Sequence, residues 1–117
     1  MAYENAMPVT EAALQTTLFK SLSDPTRRGL FERLRHEGEM TVVALTRQAK
    51  VSQPAVSQHL AVLKEAGLVA DRREGRTTHY RAAPEGLAPL TGWLAAYGVF
   101  WEGRIDALET LLNEMDQ

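Results

Sequence analysis

A chain of 117 residues with 44% hydrophobic and 24% charged side chains has the size and balance of one soluble domain with a modest core. It contains no cysteine, which excludes disulfides, thiolate metal sites and thiol nucleophiles, and no apolar run approaches the ~20 residues that cross a bilayer. The net charge is −2, yet residues 41–81 hold seven basic and three acidic side chains, a local +4 on an acidic body. That distribution fits a small domain that presents one face to phosphates.

Residues 1–9 read as a flexible tail. Met1–Pro8 has neither the basic nor the apolar segment of a secretory signal, so a cytoplasmic protein is expected. Thr10–Leu22 reads as a helix with Leu14, Leu18 and Leu22 on one stripe. Asp24 caps and Pro25 begins a second helix, which runs to about His36 and stops at Gly38. Thr41 caps a short third helix, carrying Val42, Leu45 and Ala49. A turn at Lys50–Gln53 leads to the fourth helix, and two short helices joined this way form a helix-turn-helix.

The fourth helix is the most informative. Ser52 caps it, Pro54 suits its first turn, and Gly67 suits its end. Val56, Leu60 and Leu63 share one face and should point inward. Gln53, Ser57, Gln58, Ala61 and Lys64 fall opposite. That outward set is small, uncharged or basic, as a helix laid in the major groove requires, with Gln able to read adenine and Ser able to bond a base edge or phosphate. Base contacts are therefore expected from Gln53, Ser57 and Gln58. Ser52, Lys50 and Lys64 are candidates for the backbone.

Leu68–Arg73 and Thr77–Ala82 read as the strands of a hairpin turning at Glu74-Gly75. Arg72, Arg73 and Arg76 crowd its tip, so the hairpin is expected to be a wing whose arginines meet phosphates or the minor groove. His79 on this wing either contacts phosphate or faces solvent. Tyr80, on the other face, is expected to pack inward. From Leu87 to Met115 the chain reads as one long helix with Leu90, Leu94, Tyr97, Trp101, Arg104, Leu108, Leu111 and Met115 at alternating steps of four and three. One small domain cannot cover so much apolar surface, so residues 10–22 and 87–115 are expected to dimerise. The dimer contacts would be Leu14, Leu18, Leu90, Leu94, Tyr97, Trp101, Leu108 and Leu111.

Three segments, L-S-D-P-T-R-R-G-L-F at 22–31, V-S-Q-P-A-V-S-Q-H-L at 51–60 and R-R-E-G-R-T-T-H-Y at 72–80, resemble the ArsR-type winged helix-turn-helix repressors. The resemblance implies a single domain over residues 10–117, mostly α with a small β-hairpin, in the order α-α-α-α-β-β-α. It also implies a homodimer that represses from a palindromic operator and leaves it when an inducer binds. The arsenic and cadmium sensors of the family carry Cys-x-Cys where this chain has Thr41 and Val43. The zinc and nickel sensors carry histidines on a last helix that here has none. No metal and no cofactor is expected.

Lys50 stands where the family often has glycine, which would put a non-glycine residue in a left-handed turn. Gly98 and Gly103, inside the expected last helix, either let helices approach at the dimer seam or leave room beside Trp93, Tyr97, Phe100 and Trp101 for an apolar small-molecule inducer. His59 reads as a packed, hydrogen-bonded residue rather than a base reader, and His36 suits the end of its helix. The whole points to a sequence-specific regulator on double-stranded DNA. Two alternatives stay open: a winged-helix protein-interaction module without an operator, and a repressor induced by an apolar molecule near the last helix. No enzyme is expected, because the histidines are scattered and neither a phosphate loop nor a recognisable carboxylate pair is present.

Overall fold

Each of the first four helices starts at a side chain that accepts a hydrogen bond from an otherwise unpaired backbone N–H. The computed structural model describes residues 10–115, with backbone alone for residues 99–102 and 105, so the expected tail and the Trp101 side chain lie outside the described residues. Thr10 Oγ1 accepts from Ala13 N–H at 3.1 Å and opens α1, Glu11–Ser23. Asp24 ends α1 and caps α2, Pro25–Glu37, accepting from Arg27 N–H at 2.9 Å. Gly38, at φ 86°, stops α2 with its N–H on the Leu34 carbonyl. Thr41 Oγ1 accepts from Ala44 N–H to start α3, Val42–Gln48, and Ser52 Oγ accepts from Ala55 N–H to start α4, Gln53–Glu65.

The chain then forms three strands rather than the expected two. β1, Met40–Thr41, precedes α3, and the hairpin consists of β2, Val69–Glu74, and β3, Thr77–Ala82. The antiparallel order is β1-β3-β2, with Met40 opposite Tyr80, Thr41 opposite His79 and Arg72 opposite His79. Glu74 pairs with Thr77, so the loop is Gly75-Arg76, one residue later than expected, with Gly75 at φ 63°.

Leu18, Leu30, Phe31, Leu34, Leu45, Val56, Leu60, Leu63, Leu68 and Val69 form the core, with Leu22, Tyr80, Leu87 and Leu90 packed against it. Leu18 corrects the expected dimer stripe. It is 2% exposed because α1 lies against α2, so it fills the protomer's own core. Leu90 likewise leans on that core, half-buried.

The long last helix is also corrected. A 3-10 turn at Pro84–Leu87 leads into α5, Ala88–Ala95, and α6 starts anew at Gly98 and runs to Met115. Ala96 and Tyr97 donate to the carbonyls three residues back, at Trp93 and Leu94. The tightened turn and the weak helix preference of Gly98 break the α-ladder there. The left-handed turn expected at Lys50 does not occur, since every positive φ among the described residues is at glycine. Extended backbone at Ala49 (ψ 150°) and Ser52 (ψ 161°) makes the turn instead.

Two glycines make opposite demands. A Cβ at Gly86 would overlap the Gly67 carbonyl, a backbone group that cannot swing aside, whereas a Cβ at Gly29 within α2 would meet nothing within 4 Å. Gly86→Ala should therefore cost about 1–3 kcal/mol through forced backbone shifts, and Gly29→Ala should gain up to about 1 kcal/mol from helix propensity. Urea unfolding followed by circular dichroism measures both; equal effects would contradict the Gly67–Gly86 contact.

Candidate nucleic-acid interface

On α4, Val56, Leu60 and Leu63 are each 0% exposed, so the rotation of the helix about its axis is set by the core. The opposite face leaves Gln53, Ser57, Gln58, Ala61 and Lys64 exposed, as the sequence spacing requires. Gln53, Ser57 and Gln58 have no side-chain hydrogen bond among the described residues, and their donors and acceptors are open. Ser52 has its hydroxyl engaged as the cap. Lys50 is exposed in the turn before α4, while Lys64 at its far end donates to Asp71 Oδ2 at 3.0 Å.

His59 lies half-buried on the flank of α4, its Nδ1 3.4 Å from Arg27 Nη1. Arg27 also donates to the carbonyls of Ser21 at 2.6 Å and Lys20 at 3.1 Å. It thus satisfies carbonyls in the last turn of α1 and reaches α4 with the same guanidinium. This is the packed, hydrogen-bonded setting expected for His59.

The wing arginines separate into two kinds. Arg73 and Arg76 are exposed and form no ion pair among the described residues. Arg72 is held on both sides: its Nε and Nη2 donate to Glu39, at distances of 2.6 to 3.1 Å, and its Nη1 donates to Glu74 at 2.9 Å. His79, expected at phosphate or in solvent, instead sits half-buried between the same two carboxylates, with ring nitrogens 3.8 Å from Glu39 and Glu74. The cleft between α4 and the wing is lined by Thr41, Val42, Val43, Gln53, Arg76, Thr77 and Thr78, around about 230 Å³ of open space. Gln53 and Arg76 thus border one concavity although 23 residues apart in the chain.

Electrostatics follow these contacts. The Arg72 hydrogen bonds hold the Glu39 and Glu74 carboxyls below the usual range, and Glu39 first, then Glu74, raises the Arg72 guanidinium. The backbone N–H of Arg27 lowers Asp24 in the same way. Among the described residues, no three His, Asp or Glu side chains gather as a metal cluster. Glu39 is the residue the sequence reading misses; it lies 33 positions from its partner.

A family described as a helix-turn-helix domain matches residues 22–72. One arsenic resistance transcriptional regulator of Pseudomonas putida is 46% identical over 96 residues, covering 82% of this chain and 70% of its own length. The arsenical resistance operon repressor of Escherichia coli is 45% identical over 82 residues, covering 70% of this chain and 67% of its own. The chain belongs to the ArsR family of transcriptional repressors. The solved structure of an ArsR-like transcriptional regulator from Rhodococcus sp. RHA1 superposes with TM-score 0.67 at 29% identity, over 86% of this repressor and 93% of that chain. Winged helix-turn-helix architecture and DNA-binding repression are thereby shared with its relatives, whose role is regulatory rather than enzymatic. No helix among the described residues is long and apolar enough to cross a membrane.

A carboxylate held below its unfolded value favours folding at neutral pH, and this contribution fades as pH falls through the carboxylate range. Urea midpoints of the wild type and Glu39→Gln should therefore differ most above about pH 5 and converge by about pH 3. A gap that is constant across that range would mean that Glu39 is not paired in solution.

Proposed function

We propose that this repressor acts as a homodimer on a two-fold symmetric operator, with α4 of each protomer in the major groove. The observation that carries this reading is the division of α4, whose sealed Val56-Leu60-Leu63 edge leaves Gln53, Ser57 and Gln58 as free hydrogen-bonding groups on the outside. Two such helices would occupy successive major grooves about 34 Å apart. Arg73 and Arg76 of the wing would meet phosphate or the minor groove, with Lys50 as an outer phosphate contact and Ser52 offering backbone contact at the α4 start. Lys64 would reach phosphate only on leaving Asp71.

The dimer reading rests on apolar surface that α1, α5 and α6 leave uncovered. Leu14, Phe19, Trp93, Leu94, Tyr97, Leu108, Leu111, Leu112 and Met115 are 40–72% exposed. Phe19 meets Trp93 edge-on at 5.5 Å, and Trp93 meets Tyr97 at 5.2 Å, so the aromatic groups pack on one another across α1 and α5. That packing favours a dimer seam over an inducer pocket. The two relatives named for arsenic resistance do not pass on a thiolate site, since this chain has no cysteine.

Fluorescence anisotropy on a duplex from upstream of its own gene, against a scrambled duplex at about 150 mM salt, tests the function. The expected preference is about 10³-fold or more, falling steeply with salt. In Gln58→Ala, discrimination at one base pair should fall by about 1–3 kcal/mol, and uniform weakening on every sequence would refute base reading there. For the dimer, Leu111→Asp should convert a sedimenting dimer to monomer with its helical spectrum intact. A variant that still sediments as a dimer would remove α6 from the seam.

A further inference from the structure

The wing is joined to the helical body along β1 by only two paired residues, Met40 and Thr41, both against β3. β2 is the outer strand, and nothing in the sheet pairs its far edge. The Glu39–Arg72 contact crosses this arrangement. Glu39 immediately precedes β1 on one side of the sheet, Arg72 stands on β2 on the other, and His79 of β3 lies beneath the bridge. The contact is two-pronged, with Nε and Nη2 of Arg72 on one carboxylate, and Glu74 takes Nη1. All three guanidinium nitrogens are thus engaged within the protein. Such forked, charge-assisted bonds fix direction as well as distance. By strand alternation Arg73 points to the opposite face of the hairpin, and Arg76 lies in its loop.

We infer that Glu39 and Arg72 form a clasp that sets the angle of the wing for DNA, so that Arg72 spends its charge on Glu39 rather than on a phosphate. Glu39 is then a positioning residue for DNA affinity, although it is acidic and does not touch DNA. This rests on the reading that the wing contacts DNA through Arg73 and Arg76. The lowered Glu39 and Glu74 carboxyls are consistent with a bridge that persists at neutral pH.

The sign of one substitution separates the clasp from simple electrostatics. Removing a negative charge beside DNA, and freeing an arginine, should tighten binding if no positioning is involved. The clasp requires that Glu39→Gln weaken it. The experiment measures anisotropy over a salt series for wild type, Glu39→Gln, Arg72→Gln, the double variant, the reversed pair Glu39→Arg with Arg72→Glu, Arg73→Ala and Arg76→Ala. The probes are a duplex selected from random DNA by the wild-type protein and a random duplex, with circular dichroism melts as the check on folding.

The expected result is that Glu39→Gln and Arg72→Gln each weaken the selected duplex by about three- to tenfold, and that the double variant is no worse than either single. The reversed pair should recover most of the affinity. Arg72→Gln should keep the wild-type salt slope, whereas Arg73→Ala should lower its magnitude by about one. Tighter or unchanged binding by Glu39→Gln, or a slope lowered by about one in Arg72→Gln, overturns the clasp while leaving the wing as a DNA contact. An unchanged slope in Arg73→Ala, with Arg76→Ala equally silent, overturns the wing reading itself and the clasp with it.

Discussion

Everything outward on this molecule depends on how three residues of α4 are held inward. Val56, Leu60 and Leu63 reach complete burial against the core built by α2, α3 and Leu68, and a helix packed on one edge has no freedom to rotate. Turning it by one residue, about 100°, would expose a leucine and bury an amide without a partner, each of which is unfavourable. The polar face is therefore aimed by apolar contacts on the opposite side. Gln53, Ser57 and Gln58 contribute nothing to that aim, which leaves them free to be chosen for what they meet.

The helical part of this arrangement is legible in the sequence because its signals are local. Thr10, Asp24, Thr41 and Ser52 are caps whose side chains act within three residues, and the α4 pattern repeats every three or four. The features that escape are those without local spacing. β1 is two residues long and carries no alternation to detect, and Glu39 binds an arginine 33 positions away. Leu18 escapes for another reason. It lies on the same stripe as Leu14, and periodicity cannot tell a stripe covered by its own chain from one awaiting a second copy.

The break between α5 and α6 shows the same limit from the other direction. Apolar steps of four and three continue across Tyr97 and Gly98, so the pattern reads as one helix, while the backbone tightens and restarts. Hydrophobic spacing reports which residues prefer cover and is silent on whether the axis runs straight. The wing arginines carry a related lesson. Three basic residues near one tip look equivalent as charges, yet Arg72 is saturated by two carboxylates while Arg73 and Arg76 are open. Formal charge in a segment overstates the charge available to a partner.

The contact of Gly86 with Gly67 joins two regions with different tasks. Gly67 ends the helix that carries the outward amides, and Gly86 lies in the turn that leads to α5. Nearby, Ala83 N–H donates to the Leu68 carbonyl at 2.8 Å, so the chain leaving the hairpin is fastened to the chain entering it. With no side chain between the two glycine backbones, the junction has little slack. It works as a mitred corner, cut to one angle between the reading helix and the C-terminal arm. In a symmetric pair that angle would be counted twice, once in each protomer, so a small change at this corner would become a large change in the separation of two distant helices. Spacing on DNA would then be governed by a joint that lies outside the reading helix itself.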